Sequence, residues 1–170
     1  VCGKPLISYS IKTGIELVNL DVLKRCIVST DNHEIANIAR SLNADVPFLR
    51  PAEIATDKSK SISFIIHALD AIDPNQELYD AVLILQPTSP IRNSTYISSV
   101  VKKFMASNSN SLISCYQEDY INERVMYKKQ KNESLLPCSK DHNKGVRRQE
   151  YGPIMVRNGS IYLTRIPYLL

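Results

Sequence analysis

The chain has 170 residues, 44% of them hydrophobic, which is enough to bury one sizeable core, and it is read as a single domain over 1–170. Lysine and arginine outnumber aspartate and glutamate by 21 to 17, a net charge of +4 that is too mild to mark a nucleic-acid-binding protein. The four cysteines, Cys2, Cys26, Cys115 and Cys138, contain no CxxC pair, and neither a signal-peptide pattern nor an apolar run of bilayer length is present, so a soluble, cytoplasmic protein is expected.

Pro5 suits the first turn of a helix on which Ile7, Ile11, Ile15 and Val18 recur along one face, with Gly14 an internal cost of about 1 kcal/mol. Arg25 to Ser29 reads as a short strand, and Asp31 with Glu34 as a capping box opening a helix that turns Ile35, Ile38 and Leu42 inward. A loop through Val46, Pro47, Phe48, Leu49, Arg50 and Pro51 leads to a helix with Ile62, Ile65, Ile66, Leu69 and Ile72 on one face, ended by Asp73, Pro74 and Asn75. His67 on that helix has no second histidine or cysteine at ligand spacing, so a metal role is not expected of it.

Ala81 to Leu85 is a continuous apolar run, the pattern of a strand covered on both faces in the middle of a parallel sheet. A helix through Ile97, Val100, Val101 and Phe104 follows, then a strand from Leu112 to Tyr116. This alternation predicts an α/β sandwich with a largely parallel sheet. From Gln117 the periodicity fades into polar and basic sequence too long for an ordinary connection, and 117–157 is read as an inserted arm that packs on a partner subunit or folds over the site. The sheet is expected to resume at Ser160 to Thr164. The chain opens at Val1 and closes on Ile166 to Leu170, which resembles a helix start, so both ends read as cut.

At Gln86 the apolar run stops on a carboxamide, and Pro87, Thr88, Ser89 and Pro90 make a stiff, hydroxyl-bearing turn. Ligand crevices of open α/β sheets lie beyond the carboxyl ends of the strands, which aims Gln86 at a ligand; a polar cap on a buried strand is the plain alternative. Arg50 precedes Pro51, which favours extended backbone and directs the guanidinium toward a planar ligand. Ser61 stands at a helix start, where a hydroxyl caps the backbone or donates to a ligand.

Arg148, Gln149, Asn158 and Tyr162 form a second polar set, with an arginine fork for a carboxylate and amides for sugar hydroxyls. Asn158-Gly159 reads as a turn before the closing strand, and the alternative is an exposed hairpin with no ligand. Lys128, Lys129, Lys131, Lys140, Lys144, Arg147 and Arg148 face only Glu133 and Asp141 in the same segment, a meeting point for an anion or a solvated face. No GxSxG, HExxH, Walker-type loop or cysteine-histidine nucleophile set occurs, which leaves a chemistry of positioning and charge stabilisation.

Five blocks stand out: GKPLISYSI from Gly3, VSTDNHEIANIA from Val28, RPAEIATDKSKSISFIIHAL from Arg50, LILQPTSPIR from Leu83 and RQEYGPIMVRNGSIYLTR from Arg148. Together they resemble the acylneuraminate cytidylyltransferases, the CMP-sialic acid synthetases and their relatives acting on other nonulosonic acids. The resemblance covers nearly the whole chain. It implies an α/β, three-layer, nucleotide-diphospho-sugar transferase-like (Rossmann-like) fold with a mostly parallel sheet and an inserted dimerisation arm. It implies transfer of CMP from CTP onto the anomeric hydroxyl of N-acylneuraminate, with magnesium, releasing pyrophosphate for cell-surface polysaccharide synthesis.

By residue, the resemblance makes Gln86 the catalytic group between nucleotide and sugar, and places Arg50 and Ser61 at the cytosine nucleotide. It places Arg148, Gln149, Asn158 and Tyr162 at the sugar acid, with Arg124 standing in for a further basic residue there. It also implies a homodimer in which the arm reaches the neighbouring site. The family's glycine-rich phosphate loop would precede the GKPL block, and its aspartate pair for magnesium would lie beyond Leu170, so these 170 residues alone are expected to bind CTP weakly and to be inactive. Two other readings remain: a cytidylyltransferase for a pseudaminic, legionaminic or Kdo-type acid, and a non-catalytic nucleotide-binding or dimerisation module. Only Tyr127 and Tyr151 lie near the basic cluster, so no nucleic-acid partner is expected, and no membrane partner either.

Overall fold

The computed structural model describes every residue except Tyr120, Asn143, Val146, Arg148, Gln149, Tyr151 and Leu170. Among the described residues the helices are α1 (Ile7–Asn19), α2 (His33–Ser41), α3 (Ser61–Ile72) and α4 (Ser94–Met105). The strands are β1 (Ala81–Ile84), β2 (Ser111–Glu118), β3 (Tyr127–Lys129), β4 (Leu135–Pro137) and β5 (Ile154–Arg165). The chain divides into two compact units, 1–113 with 159–170, and 114–158.

The helices start where short polar side chains satisfy free amides. Asn93 Oδ1 accepts from the Tyr96 N–H at the head of α4, and Asn32 Oδ1 does the same for Ile35 at the head of α2. The predicted capping box is thereby corrected: Asn32 caps, and Asp31 is free to pair with Arg50. Helix α2 buries Ala36 and Ala39, while Ile35 is 38% exposed, because the small side chains let the helix axis come close to its neighbours. In α1, a β-carbon on Gly14 would collide with Cys26 Sγ, so the glycine that costs helix propensity is what admits the Cys26 segment.

The α/β layering holds. Leu17 of α1 and Ile97, Val101 and Phe104 of α4 form one buried cluster with Ile161 and Leu163 of β5, against which Ala81 and Leu83 pack. Ile65 and Leu69 of α3 form another with Ile166, against which Val82 and Ile84 pack. Alternate β1 residues thus face α1 and α4 on one side and α3 on the other, as side-chain alternation requires. Leu17, Ile97 and Phe104 are almost fully enclosed, each stabilising the fold by about 1.5–3 kcal/mol.

The sheet pairing departs from expectation. Strand order is β1-β5-β2, and β1 pairs with β5 antiparallel, with Ala81 opposite Arg165 and Ile84 opposite Tyr162. β1 is therefore an edge of this three-stranded sheet rather than its middle, and its unbroken apolar run reflects helices on both faces. The predicted strand at Arg25 to Ser29 contracts to one parallel bridge, Ile27 to Asp45. β5 begins at Ile154, not Ser160.

Two charged side chains close element ends. Asp73, 2% exposed, accepts from the backbone N–H groups of Glu77, Leu78 and Tyr79, turning the chain from α3 into β1. Arg165 donates to the carbonyls of Phe104, Met105, Ser107 and Ser109, satisfying the carboxyl end of α4.

In the unit 114–158, β3 and β4 form an antiparallel hairpin, Tyr127 opposite Pro137 and Lys129 opposite Leu135. His142 ties it to the preceding turn: Nε2 lies 2.6 Å from the Tyr127 hydroxyl, and Nδ1 lies 2.7 Å from the Arg124 carbonyl. Among the described residues no helix is long and apolar enough to cross a membrane.

Candidate active site at the carboxyl end of strand β1

Gln86 follows β1 by two residues, and continuing the alternation of Val82 and Ile84, which pack on the α3 side of the sheet, carries its side chain toward that side. Its carbonyl is held by the Arg92 Nη2 at 2.6 Å, the Ser89 N–H at 3.2 Å and the Ser10 hydroxyl at 3.4 Å. Gly159 lies beside its side chain. A β-carbon built on Gly159 would stand 3.2 Å from Gln86 Oε1, 3.5 Å from Ser89 Oγ and 4.0 Å from the Tyr162 hydroxyl. Three polar side-chain ends therefore converge on space that only glycine leaves open.

The Asn158-Gly159 pair is not the predicted turn before a strand. Both residues lie inside the twelve-residue β5, and Gly159 holds φ at +74° there, the conformation that bends a strand without ending it. The bend and the end of β1 face one another, which brings the ends of the Gln86 and Tyr162 side chains to within 4.0 Å of one point above Gly159.

Arg50 approaches the same side of the sheet by another route. Its backbone N–H donates to Thr30 at 2.8 Å, its Nη2 pairs with Asp31 at 3.3 Å, and its guanidinium lies over the Phe64 ring at 5.7 Å. Phe64 packs in the α3 cluster with Ile84, the residue opposite Tyr162. The Arg50 Nε is buried and has no partner among the described residues, leaving a donor that the protein does not use. Ser61 is the first residue of α3, exposed, and Lys60 occupies the cap position with no side-chain cap. The capping alternative for Ser61 is therefore not realised.

The other predicted sugar-side residues are in the unit 114–158. Asn158 Oδ1 accepts from the Ser114 hydroxyl at 2.6 Å, and the Arg124 guanidinium lies 3.9 Å from Asp141. Lys144 pairs with the same Asp141, whose carboxyl is held below the usual range by hydrogen bonding to Lys144, then by its charge and that of Arg124. Arg148 and Gln149 lie outside the described residues. Among the described residues no group of three or more histidine, cysteine, aspartate or glutamate side chains fits a metal ion.

The sequence model described as Cytidylyltransferase matches residues 1–165. The chain belongs to the cytidylyltransferase family. Among curated relatives, this cytidylyltransferase chain is 41% identical over 101 residues to the N-acylneuraminate cytidylyltransferase of Escherichia coli O18:K1:H7, covering 59% of the chain and 22% of that protein. It is 28% identical over 134 residues to the pseudaminic acid cytidylyltransferase of Campylobacter jejuni, covering 79% and 56%. It is 36% identical over 102 residues to the CMP-N,N'-diacetyllegionaminic acid synthase of Legionella pneumophila, covering 60% and 43%. In each case the match spans little more than half of the relative's length, or less.

Ser10, Ser89, Arg92 and Gly159 border this candidate site; Ser10 and Arg92 were not singled out from sequence, and Ser89 and Gly159 were read only as parts of turns. Ser89 and Arg92 lie in the same LILQPTSPIR block as Gln86, which was the available signal.

Proposed function

We propose that the protein transfers CMP from CTP to the anomeric hydroxyl of a nonulosonic acid, N-acylneuraminate first among them, and releases pyrophosphate. The observation that carries this reading is the convergence of Gln86, Ser89 and Tyr162 over Gly159 at the end of β1, in a chain of the cytidylyltransferase family. A carboxamide and two hydroxyls supply donors and acceptors without net charge, which suits holding a sugar hydroxyl against a nucleotide phosphate.

In the reaction the sugar's anomeric oxygen bonds to the α-phosphorus of CTP, the bond to the bridging oxygen breaks, pyrophosphate leaves with that electron pair, and the hydroxyl proton is released. Gln86 orients the attacking hydroxyl toward the phosphate. Arg50, with its unused Nε donor and its guanidinium 5.7 Å over the Phe64 ring, meets the nucleotide together with Ser61. The resemblance assigns the sugar acid to Tyr162 and, in the unit 114–158, to Arg124, Arg148, Gln149 and Asn158. Magnesium would supply phosphate charge neutralisation, but the described carboxylates do not fit it, and no step is assigned to it.

Pairing with a second copy through the unit 114–158 belongs to the same reading. Leu135, Leu136 and Met155 are each more than half exposed there, an apolar surface that a partner would cover. Free cysteines and a CTP substrate suit the cytoplasm. A pseudaminic acid substrate is the second reading, favoured by the Campylobacter relative's match over 79% of the chain.

The test takes the protein as its gene encodes it, with CTP, magnesium and a panel of keto-sugar acids, and follows pyrophosphate. Release is expected with N-acylneuraminate; release with pseudaminic acid alone selects the second reading, and release with no acid rejects both. Gln86→Ala is expected to lower kcat at least ~10-fold while changing the KM for CTP less than ~3-fold.

A further inference from the structure

The guanidinium of Arg92 joins three parts of the fold that otherwise end separately. Its Nη2 donates to the Gln86 carbonyl at 2.6 Å, its Nη1 to the Ser10 hydroxyl of α1 at 2.9 Å, and its Nε to the Ser160 carbonyl of β5 at 3.0 Å. Ser10 in turn donates to the Gln86 carbonyl, so the two side chains hold one acceptor from two directions. The β1–β5 ladder runs to Ile84 opposite Tyr162; beyond it β1 ends, while β5 continues as strand and bends at Gly159. Arg92 ties the Gln86 carbonyl, beyond the end of β1, to the Ser160 carbonyl within β5.

No carboxylate compensates this charge among the described ion pairs, and all the described partners of Arg92 are neutral oxygens. Half-buried without a counter-ion, the guanidinium is a costly way to hold the turn after β1 to α1 and β5 if stability alone were at stake. Its planar fork is what the geometry uses, because three acceptors lie in three directions around one rigid group, which a lysine ammonium on a flexible stem does not reproduce.

We propose that Arg92 is a positioning residue of the site, clamping the Gln86 backbone against Ser160 so that the Gln86 carboxamide is presented over Gly159 beside Tyr162. The inference rests on the proposed CMP transfer for its kinetic consequence, and on the hydrogen-bond geometry alone for its structural one. Arg92 touches no substrate in this assignment. It acts through Gln86, and its removal costs turnover only as far as Gln86 is misplaced.

The experiment compares the protein as its gene encodes it with Arg92→Lys, Ser10→Ala, Gln86→Ala and the double variant Arg92→Lys/Gln86→Ala. Arg92→Lys is expected to lower kcat ~10-fold or more with the KM for CTP within ~3-fold, and the double variant to be no slower than Gln86→Ala by itself. Multiplying losses, or an Arg92→Lys enzyme with unchanged kcat and only reduced stability, would overturn the proposal. Should Arg92→Lys not fold, Ser10→Ala carries the same comparison at a smaller loss. In parallel, the side-chain amide signal of Gln86 in ¹⁵N NMR, assigned by its disappearance in Gln86→Ala, is expected to shift in Arg92→Lys and in Ser10→Ala. An unmoved signal refutes the clamp even if the parent turns over no sugar acid, an outcome that by itself rejects the proposed function and leaves the clamp to the NMR result.

Discussion

Gln86 Oε1 lies 3.2 Å from the point where a β-carbon on Gly159 would be, and Gly159 holds φ at +74° within β5. A side chain there meets left-handed strain of about 1–2 kcal/mol and crowds the carboxamide. Gly159→Ala is expected to lower stability by about that amount in a denaturant titration and to lower kcat more than it raises the KM for CTP. Wild-type turnover in that variant would separate the Gly159 space from the chemistry.

Gly14→Ala raises helix propensity by about 1 kcal/mol, yet the new methyl collides with Cys26 Sγ. Overpacking costs about 1–3 kcal/mol, so a net loss of stability is expected, reversed when Cys26→Ala is added. Thermal melts of the single and double variants measure this.

Burial pushes the Cys26 thiol up from its ordinary value, and the nearby Asp45 charge pushes it further. With the folded value raised, the neutral thiol's contribution is fully present below the unfolded thiol's pKa and is lost as pH rises through the folded value. Stability should therefore fall on the alkaline side in the parent and less so in Cys26→Ala, as denaturant titrations across that range would reveal.

Asp73 serves three backbone donors while 2% exposed. Asp73→Ala strands them, and a loss of about 3 kcal/mol is expected, with the turn between α3 and β1 the first region to exchange amide hydrogens.

Replacing Leu135 and Leu136 by glutamate is expected to turn a dimer into a monomer in sedimentation without lowering the melting temperature, since both side chains are more than half exposed in the described unit. A monomeric parent contradicts the dimer reading.

Much of the helical structure was legible in the sequence. The apolar spacing of Ile65 and Leu69, the stop at Asp73 and the position of α4 are local patterns that a few turns of chain decide. Local patterning misread several places, two of them at the candidate site or its approach. Asn32 took the cap assigned to Asp31 because α2 begins at His33, one residue later than the capping box implies, and Asn158-Gly159 read as a turn because its continuation through β5 depends on remote strands.

The amino-acid sequence by itself determined the layered α/β class, the family blocks and the chemical kinds available: carboxamide, guanidinium and hydroxyl. Only the tertiary structure decided that β1 lies at the sheet edge beside an antiparallel β5, and that Arg92 and Ser10 share the Gln86 carbonyl. The reason is range: helix spacing is set within a few residues, whereas Ser10, Gln86, Arg92 and Ser160 meet only after chain segments far apart in sequence have closed on a common core.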